Sequence, residues 1–329
     1  MNALVSEAFR PFNDVLYKNC FYNQLFTCMN YLSASYYPIL MNDVYYYADE
    51  KTSFRLESIS IKKEDDILKS VGICMEEKAY STDFRSHVLG CLKKGGCAIV
   101  FIDCYYYPLK RDNYLRLHNP HAVSVIGCDF ENKMLRIVDH NFETSLHYVE
   151  QTIDISCLER CCQEYHQFFE REISWYEIYK TAPAETNRDC KAGLYWNHSL
   201  YMKNIWDGMN RLTAFFDFYK SSVLCPQRLR EVIGPLSACI TEIFQKIKAR
   251  RYQFIKIGDL ADPEITLLDN IVENWGYVYA VLGKYTLNPA YRKSSFLFSI
   301  EKIHKILIAE EDWLNCLEKK TIWYAGQNS

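Results

Sequence analysis

Near residue 190 the hydrophobic period of the chain changes for good. Before that point, apolar runs of strand length alternate with helical patterns. After it, every stretch repeats at the spacing of an amphipathic helix. Such a chain closes neither as one sheet nor as one bundle, and the arrangement it implies is an α+β domain followed by an all-α one. The strand-like runs are CAIVFID at 97–103, directly after Gly95-Gly96, HAVSVIGCDF at 121–130, MLRIVDH at 134–140, SLHYVEQTID at 145–154 (a strand or sheet edge) and ISWYEIYK at 173–180. The polar turn Glu131-Asn132-Lys133 joins the second and third of these as a hairpin.

Helical spacing is read at 20–34, with Leu25, Phe26, Met29, Leu32 and Ala34 on one apolar face, and again from 64, at 82–94 and at 156–169. Residues 54–63 read as a short strand, and 45–50 as a helical continuation or a turn. TAPAETNRDCKAG at 181–193 has the composition of a linker, which gives domains at 1–182 and 190–329. In the second, helices are expected at about 197–222, 226–255, 263–285 and 290–319, with Pro226, Pro263 and Pro289 near three of the starts. Four long helices with short connections suggest an antiparallel bundle.

At 329 residues and 49% hydrophobic content the chain can bury a large core, and with 24% charged residues, 12 Gly and 9 Pro it does not read as disordered. A net charge of −3 without a Lys/Arg block argues against nucleic-acid binding. The start, MNALVSEAFRPFND, lacks a basic segment followed by an apolar one, and no apolar window is long enough for a bilayer, so a soluble cytoplasmic protein without membrane contact is expected. The 14 cysteines are scattered through apolar segments, which fits buried free thiols better than a disulfide framework. Tyrosine triplets at 45–47 and 105–107 suit either amphipathic cavities and interfaces or an ordinary core with a wet edge.

One ordered set of residues carries a specific chemistry: Cys20 at the mouth of the first helix, His121 opening a strand, and Asp139 ending the next strand. A thiol at a helix N-terminus is favoured as thiolate by the helix dipole. An imidazole within reach takes its proton and later returns it to a leaving group, and a carboxylate on the far ring nitrogen fixes tautomer and orientation. Each residue also has an ordinary reading: Cys20 as core filler, His121 as the residue after Pro120 that starts a strand, Asp139 as a turn carboxylate. Cys28 is the rival thiol, but two turns into the helix the dipole advantage has faded; His118 reads as a loop residue and His140 as the polar end of its strand. Placing residues 121 and 139 directly opposite would centre the turn on Phe130, whereas the polar turn signal centres near Asn132. A bulge or a skewed register is therefore required.

The stretch GGCAIVFIDCYYYPLKRDNYLRLHNPHAVSVIGCDFENKMLRIVDHN, with Asp103, Tyr105 and Tyr106, then His121, Gly127 and Asp129, then Val138-Asp139, resembles the papain-like domain of the butirosin biosynthesis protein H family, and Cys20 matches that family's cysteine at a helix start. The resemblance covers roughly residues 10–180. Cys128 stands where the family pattern usually has an aromatic. No Gln lies six residues before Cys20, the place where related bacteriocin-processing peptidases carry an oxyanion-hole side chain; Asp14 is there instead. The oxyanion donors are expected to be backbone N–H groups at the helix start, helped by Asn13 or Asn19, with Phe21 beside them.

What the resemblance implies is an acyltransferase of natural-product (antibiotic) biosynthesis. It would take an acyl group from the phosphopantetheine thioester of an acyl carrier protein or peptidyl carrier domain, hold it on Cys20, and pass it to a small-molecule amine. No cofactor is bound; phosphopantetheine arrives on the carrier. Asp103, Tyr105 and Tyr106 would line the acceptor pocket, with Asp103 either binding an ammonium group or serving as a satisfied turn carboxylate. The bundle would close one side of the cleft, dock the carrier protein or make a homodimer. A cysteine peptidase or amide hydrolase with the same residues, and a non-catalytic scaffold that kept the fold, are the alternatives. Cys157, Cys161, Cys162 and His166 invite a metal reading, but on a helix the two pairs diverge and no zinc spacing is completed. No Gly-rich phosphate loop or dinucleotide fingerprint occurs.

Overall fold

A computed structural model describes residues 9–50, 53–79, 83–142, 145–182 and 189–327. The chain is a mixed α+β protein that divides into two compact units, Met1–Ile39 with Lys63–Asn187 and Leu40–Lys62 with Arg188–Ser329. The linker read at 181–193 lies partly outside the described residues. Among the described residues no helix is long and apolar enough to cross a membrane. All 14 cysteines are free.

The helices of the first unit are α1 (Cys20–Tyr31), α3 (Glu64–Ser70), α4 (Phe84–Lys93) and α5 (Ile155–Phe169), while the short α2 (Tyr37–Leu40) spans the first boundary. Its six-stranded antiparallel sheet runs β3-β8-β4-β5-β6-β7, from β3 (Ile73–Ala79), β8 (Ile173–Lys180), β4 (Cys97–Asp103), β5 (Pro120–Asp129) and β6 (Met134–Asp139) to β7 (Val149–Asp154). Helix α4 stops where Gly95 takes φ 78°, a left-handed turn that glycine enters without strain. The alternation of β4 to β6 sends Val100 and Ile102, Val123 and Val125, and Leu135 and Ile137 into one core with Phe84 and Val88 of α4 and Leu158, Cys161 and Cys162 of α5. The expected helices and strands of this unit all form, with shifted ends.

The β5–β6 hairpin solves its register with one bulge. Asp129 pairs with Met134 and Gly127 with Arg136, but beyond the bulge at Ile126 the pairs are Val125 with Ile137 and Ser124 with Val138. Carried on, this register sets Asp139 across from Val123. His121, two residues further along the same face, is its diagonal neighbour rather than its direct opposite. The mismatch between turn and site seen in the sequence is absorbed in this way.

The second unit corrects two expectations. Residues 45–50 are neither helix nor turn but most of strand β1 (Asp43–Glu50), which pairs antiparallel with β2 (Ser53–Ser60) as a two-stranded sheet. This hairpin belongs with the C-terminal helices, so the second unit is not all-α and a boundary at 182/190 does not enclose it. The helices are α6 (Cys190–Leu200), α7 (Met202–Val223), α8 (Pro226–Ile257), α9 (Asp262–Leu287) and α10 (Lys293–Gln327), the first expected helix being divided at Tyr201. Pro226 and Pro263 stand in the first turns of α8 and α9, whereas Pro289 precedes α10 by several residues.

Side chains anchor the hairpin. Gln253 of α8 donates to the carbonyls of Leu40 and Asp43, and Asn197 of α6 to that of Met41. Gly208 of α7 lies so close to Tyr47 that a Cβ would meet its carbonyl oxygen at 2.9 Å. The Tyr47 hydroxyl donates to Glu310 of α10 at 2.6 Å and accepts from the Trp275 indole of α9 at 3.2 Å, while Arg250 of α8 donates to the same Glu310 oxygen at 2.7 Å. All four residues are buried. The ion pair thus sits inside the bundle with the hairpin's tyrosine bonded to it.

Candidate active site

Local structure sets Cys20 in place before any chemistry is considered. Lys18 takes φ 55°, a left-handed conformation that costs a side-chain-bearing residue some strain, and the Asn19 N–H bonds back to the Tyr17 carbonyl at 2.6 Å. This sharp turn leaves Asn19 as N-cap, accepting from the Tyr22 N–H at 3.3 Å, and Cys20 as the first residue of α1. The helix is then fixed by three fully buried polar residues, a feature its apolar pattern did not disclose. Asn23 spans the Val15 carbonyl and the Tyr17 N–H, and Thr27 accepts from Phe12. Gln24 accepts from Ser124 N–H of β5 and donates to the Val138 carbonyl of β6. A backbone carbonyl and N–H that the sheet leaves open are thereby used to dock the helix against it.

The sheet brings up the remaining groups. His121 Nε2 lies 2.7 Å from Asp139 Oδ1, with His121 6% exposed and Asp139 fully buried. A carboxylate only accepts, so Nε2 carries the proton and Nδ1 is left to face the nearby Cys20 thiol. Burial works against ionisation of Cys20, yet the hydrogen bond and charge of His121, the Ala122 N–H and the charge of Lys110 outweigh it, and the pKa falls below that of an ordinary thiol. For His121, burial opposes the imidazolium, but Asp139 lifts the pKa to about 9. Asp139 itself is pushed up by burial and pulled down further by His121 and Lys110, to about 2. The thiol is shifted toward its thiolate and the imidazole toward its imidazolium, so the arrangement supports a nucleophilic sulfur with a proton donor beside it.

Two further residues complete the site. Lys110, 1% exposed, donates to the His140 carbonyl at 2.8 Å and lies 3.4 Å from Asp139 Oδ1, 3.1 Å from His121 Nε2 and 3.1 and 3.2 Å from the two ring nitrogens of His140. His140 Nδ1 must carry a proton, because it donates to the Phe142 carbonyl at 2.5 Å. Lys110 Nζ, nearly equidistant from the two ring nitrogens, rests against this ring. Burial, followed by the Lys110 charge, drops the His140 pKa to about 4, so this ring is neutral. His121, Asp139 and His140 offer ligand atoms within 4.8 Å of one another, the composition of a metal site, but the ammonium of Lys110 stands among them. The Tyr107 hydroxyl lies beside the Asp139 carboxylate without forming a hydrogen bond to it, and burial and that charge keep the phenol protonated. No sequence signal marks Lys110, since a lysine in the loop PLKRDNY reads as solvated. His140 was visible only as the end of a strand.

The other expected residues take varied places. Asn13 does not serve as an oxyanion donor in this arrangement: its Nδ2 donates to the Tyr148 carbonyl and its Oδ1 accepts from the Tyr148 N–H, holding the segment before β7. Asn19 is exposed and caps α1. Phe21 follows Cys20 and packs on Phe101 and Tyr176 in a half-buried aromatic patch that Tyr165 joins through Phe101. Asp103 is fully buried and its carboxylate is spent within the protein, accepting from the N–H groups of Tyr105 and Asn119 and pairing with His118. That is the turn carboxylate rather than the ammonium site. Tyr105 and Tyr106 lie on the 3-10 turn Cys104–Tyr106; Tyr105 stacks on His118, whose other face meets Phe168, and Arg160 lies over the Tyr106 ring.

Cys28 is buried against Ser124. On α5, Cys161 and Cys162 enter the core, where Cys161 donates to the Tyr106 carbonyl, and His166 donates to the Arg171 carbonyl, so the four do not converge.

No protein-family model matches the chain, and no curated protein matches it.

Proposed function

We propose that the first unit is a papain-like acyltransferase in which Cys20 is the nucleophile, His121 the acid and base, and Asp139 the orienting carboxylate. The observation that supports this reading most directly is the 2.7 Å hydrogen bond of His121 to Asp139 beside Cys20, the first residue of a helix. The resemblance of residues 95–141 to the butirosin biosynthesis protein H family points the same way. The Cys20 thiolate attacks the carbonyl carbon of a carrier-bound phosphopantetheine thioester, and the C–S bond to the pantetheine breaks. His121 gives its proton to the departing thiolate, leaving an acyl-enzyme and a neutral imidazole. An amine then attacks the new thioester, His121 takes the proton from its nitrogen, and the amide leaves with Cys20 as thiolate again. N–H groups of the first turn of α1 stabilise the oxyanion in both halves, with the helix dipole behind them.

The chemistry is close to even in the first half, because one thioester replaces another, and downhill in the second. Intact mass after incubation with an acylated carrier protein tests it: an adduct on the wild-type chain and none on Cys20→Ala is expected. An acyl group still acquired by Cys20→Ala would place the nucleophile elsewhere. Release of free acid without any amine would favour hydrolysis, and no adduct with any acylated carrier would leave a scaffold.

A further inference from the structure

The group that the acyl-transfer cycle does not use is the buried lysine. Taking an ammonium wholly out of water is expensive unless it is paired and hydrogen-bonded, and the fold around Lys110 is arranged to do both. The Lys110 N–H bonds to the Tyr107 carbonyl at 3.1 Å, its own carbonyl accepts from Tyr114 at 2.8 Å and Asn113 at 3.1 Å, and the next N–H, that of Arg111, donates to the Asn141 carbonyl at 3.2 Å. The loop is therefore pinned directly to the residue after His140. On the other side, the Phe142 carbonyl accepts the Nδ1 proton of His140 and fixes the ring against the ammonium.

We infer that Lys110 is a positioning residue of the Cys20–His121–Asp139 site, a built-in cation that fixes Asp139 and His140 and holds a positive charge near the sulfur. This rests on Cys20 being the nucleophile. His121 Nε2 donates to Asp139, so its 3.1 Å approach to Lys110 brings two donors together and is repulsive. Asp139 lies against both and makes the arrangement stable. The fixed charge favours the thiolate and opposes the imidazolium, so it moves the window of the reactive ion pair toward lower pH. The same ammonium fills the hollow in which a divalent ion would find His121, Asp139 and His140.

Other ionisable groups face the pair: Cys104 and Tyr107 from the segment after β4, Tyr148 before β7, and Tyr165 on α5. Burial raises the pKa of each above its ordinary value, so they stay neutral near pH 7. His140, at about 4, is neutral as well. Lys110, His121 and Asp139 carry the charge around the sulfur.

The test is the pH dependence of Cys20 alkylation by iodoacetamide, quantified on the Cys20 peptide, in the wild-type chain, Lys110→Met and Lys110→Gln. The Met variant keeps the length without the charge; the Gln variant keeps a donor for the His140 carbonyl should the apolar end prevent folding. Both are expected to move the alkylation midpoint up by about one pH unit, with about tenfold less modification at a fixed pH below it. A midpoint unchanged in either folded variant overturns the role assigned to Lys110 and leaves Cys20 untouched. A wild-type midpoint at the value of an ordinary free thiol instead overturns the nucleophile reading itself. Alkylation reports thiolate, not turnover, so the two failures are distinct.

Discussion

Replacing Asp139 by Asn isolates the electrostatic part of the site from its geometry. The Asn Oδ1 can still accept from His121 Nε2, so the tautomer and the ring orientation are retained. What goes is a negative charge 2.7 Å from the imidazole, in a place where both partners are buried. Lifting His121 from its ordinary 6.5 to about 9 corresponds to about 3 kcal/mol of preference for the imidazolium, at about 1.4 kcal/mol per tenfold. Burial and the Lys110 ammonium both act against the imidazolium, so Asp139 supplies at least that much. Without it the thiolate loses its charged partner, and alkylation of Cys20 near pH 7 should slow by about 100-fold. Timed alkylation of Cys20, resolved on its own peptide because 14 cysteines compete, measures this directly, with a melting curve to show that the variant is folded. A folded Asp139→Asn chain that alkylates within about threefold of wild type near pH 7 would refute the claim that Asp139 governs the pair.

Three other outcomes follow from packing and protonation. Glu310→Ala leaves Arg250 charged and buried without its partner and takes the acceptor from Tyr47; urea unfolding should show a loss of about 3–5 kcal/mol, and a loss under about 1 kcal/mol would mean that the pair is not buried as described. Gln24→Leu strips buried partners from the Ser124 N–H and the Val138 carbonyl, at about 1–3 kcal/mol for each, and an unchanged urea midpoint would show that Gln24 does not dock α1. His140 and His198 are both held neutral to about 4, chiefly by burial, so between 6.5 and about 4 the unfolded chain binds protons that the folded chain refuses, and stability falls as pH drops through that window. His121, raised to about 9, acts oppositely: its contribution is full below 6.5 and is lost as pH rises toward 9. Urea midpoints across pH 4–9 should peak near 6.5, and His198→Gln should flatten the acid limb alone.

Much of the first unit could be read directly from residue order, because its central strands β4, β5 and β6 are short, apolar and bounded by polar turns, whereas β3, ICMEEKA, has no such pattern and was not legible. The triplet Cys20, His121 and Asp139 was visible for a related reason: each residue sits at the end of an element, where periodicity is informative about position. Two kinds of information were hidden. A buried polar residue carries no period of its own, so Gln24, Asn23 and Thr27 looked like the wet face of α1, and Lys110 looked like a surface lysine. Pairing between distant segments was hidden as well. The tyrosines at 45–47 have strand propensity, but only their partner β2 and the helices of the second unit make them a strand, and local pattern offered a helix or turn equally. Asp103 shows the reverse case, in which a carboxylate at a strand end invites a ligand and is instead consumed by its own turn and by His118.

The assignment of Leu40–Lys62 to the second unit means that the backbone passes from one unit to the other at 39/40, 62/63 and 187/188. During synthesis, β1 and β2 leave the ribosome long before the helices that supply Glu310, Arg250 and Trp275, so the hairpin waits without its core while the six-stranded sheet is being made. No single cut then yields two self-sufficient pieces. A fragment ending at 187 keeps an orphaned hairpin with an aromatic-rich face, and one starting at 188 lacks the tyrosine that its buried ion pair was built around. Dissecting this protein calls for excising 40–62 and splicing it to the C-terminal part, rather than for truncation.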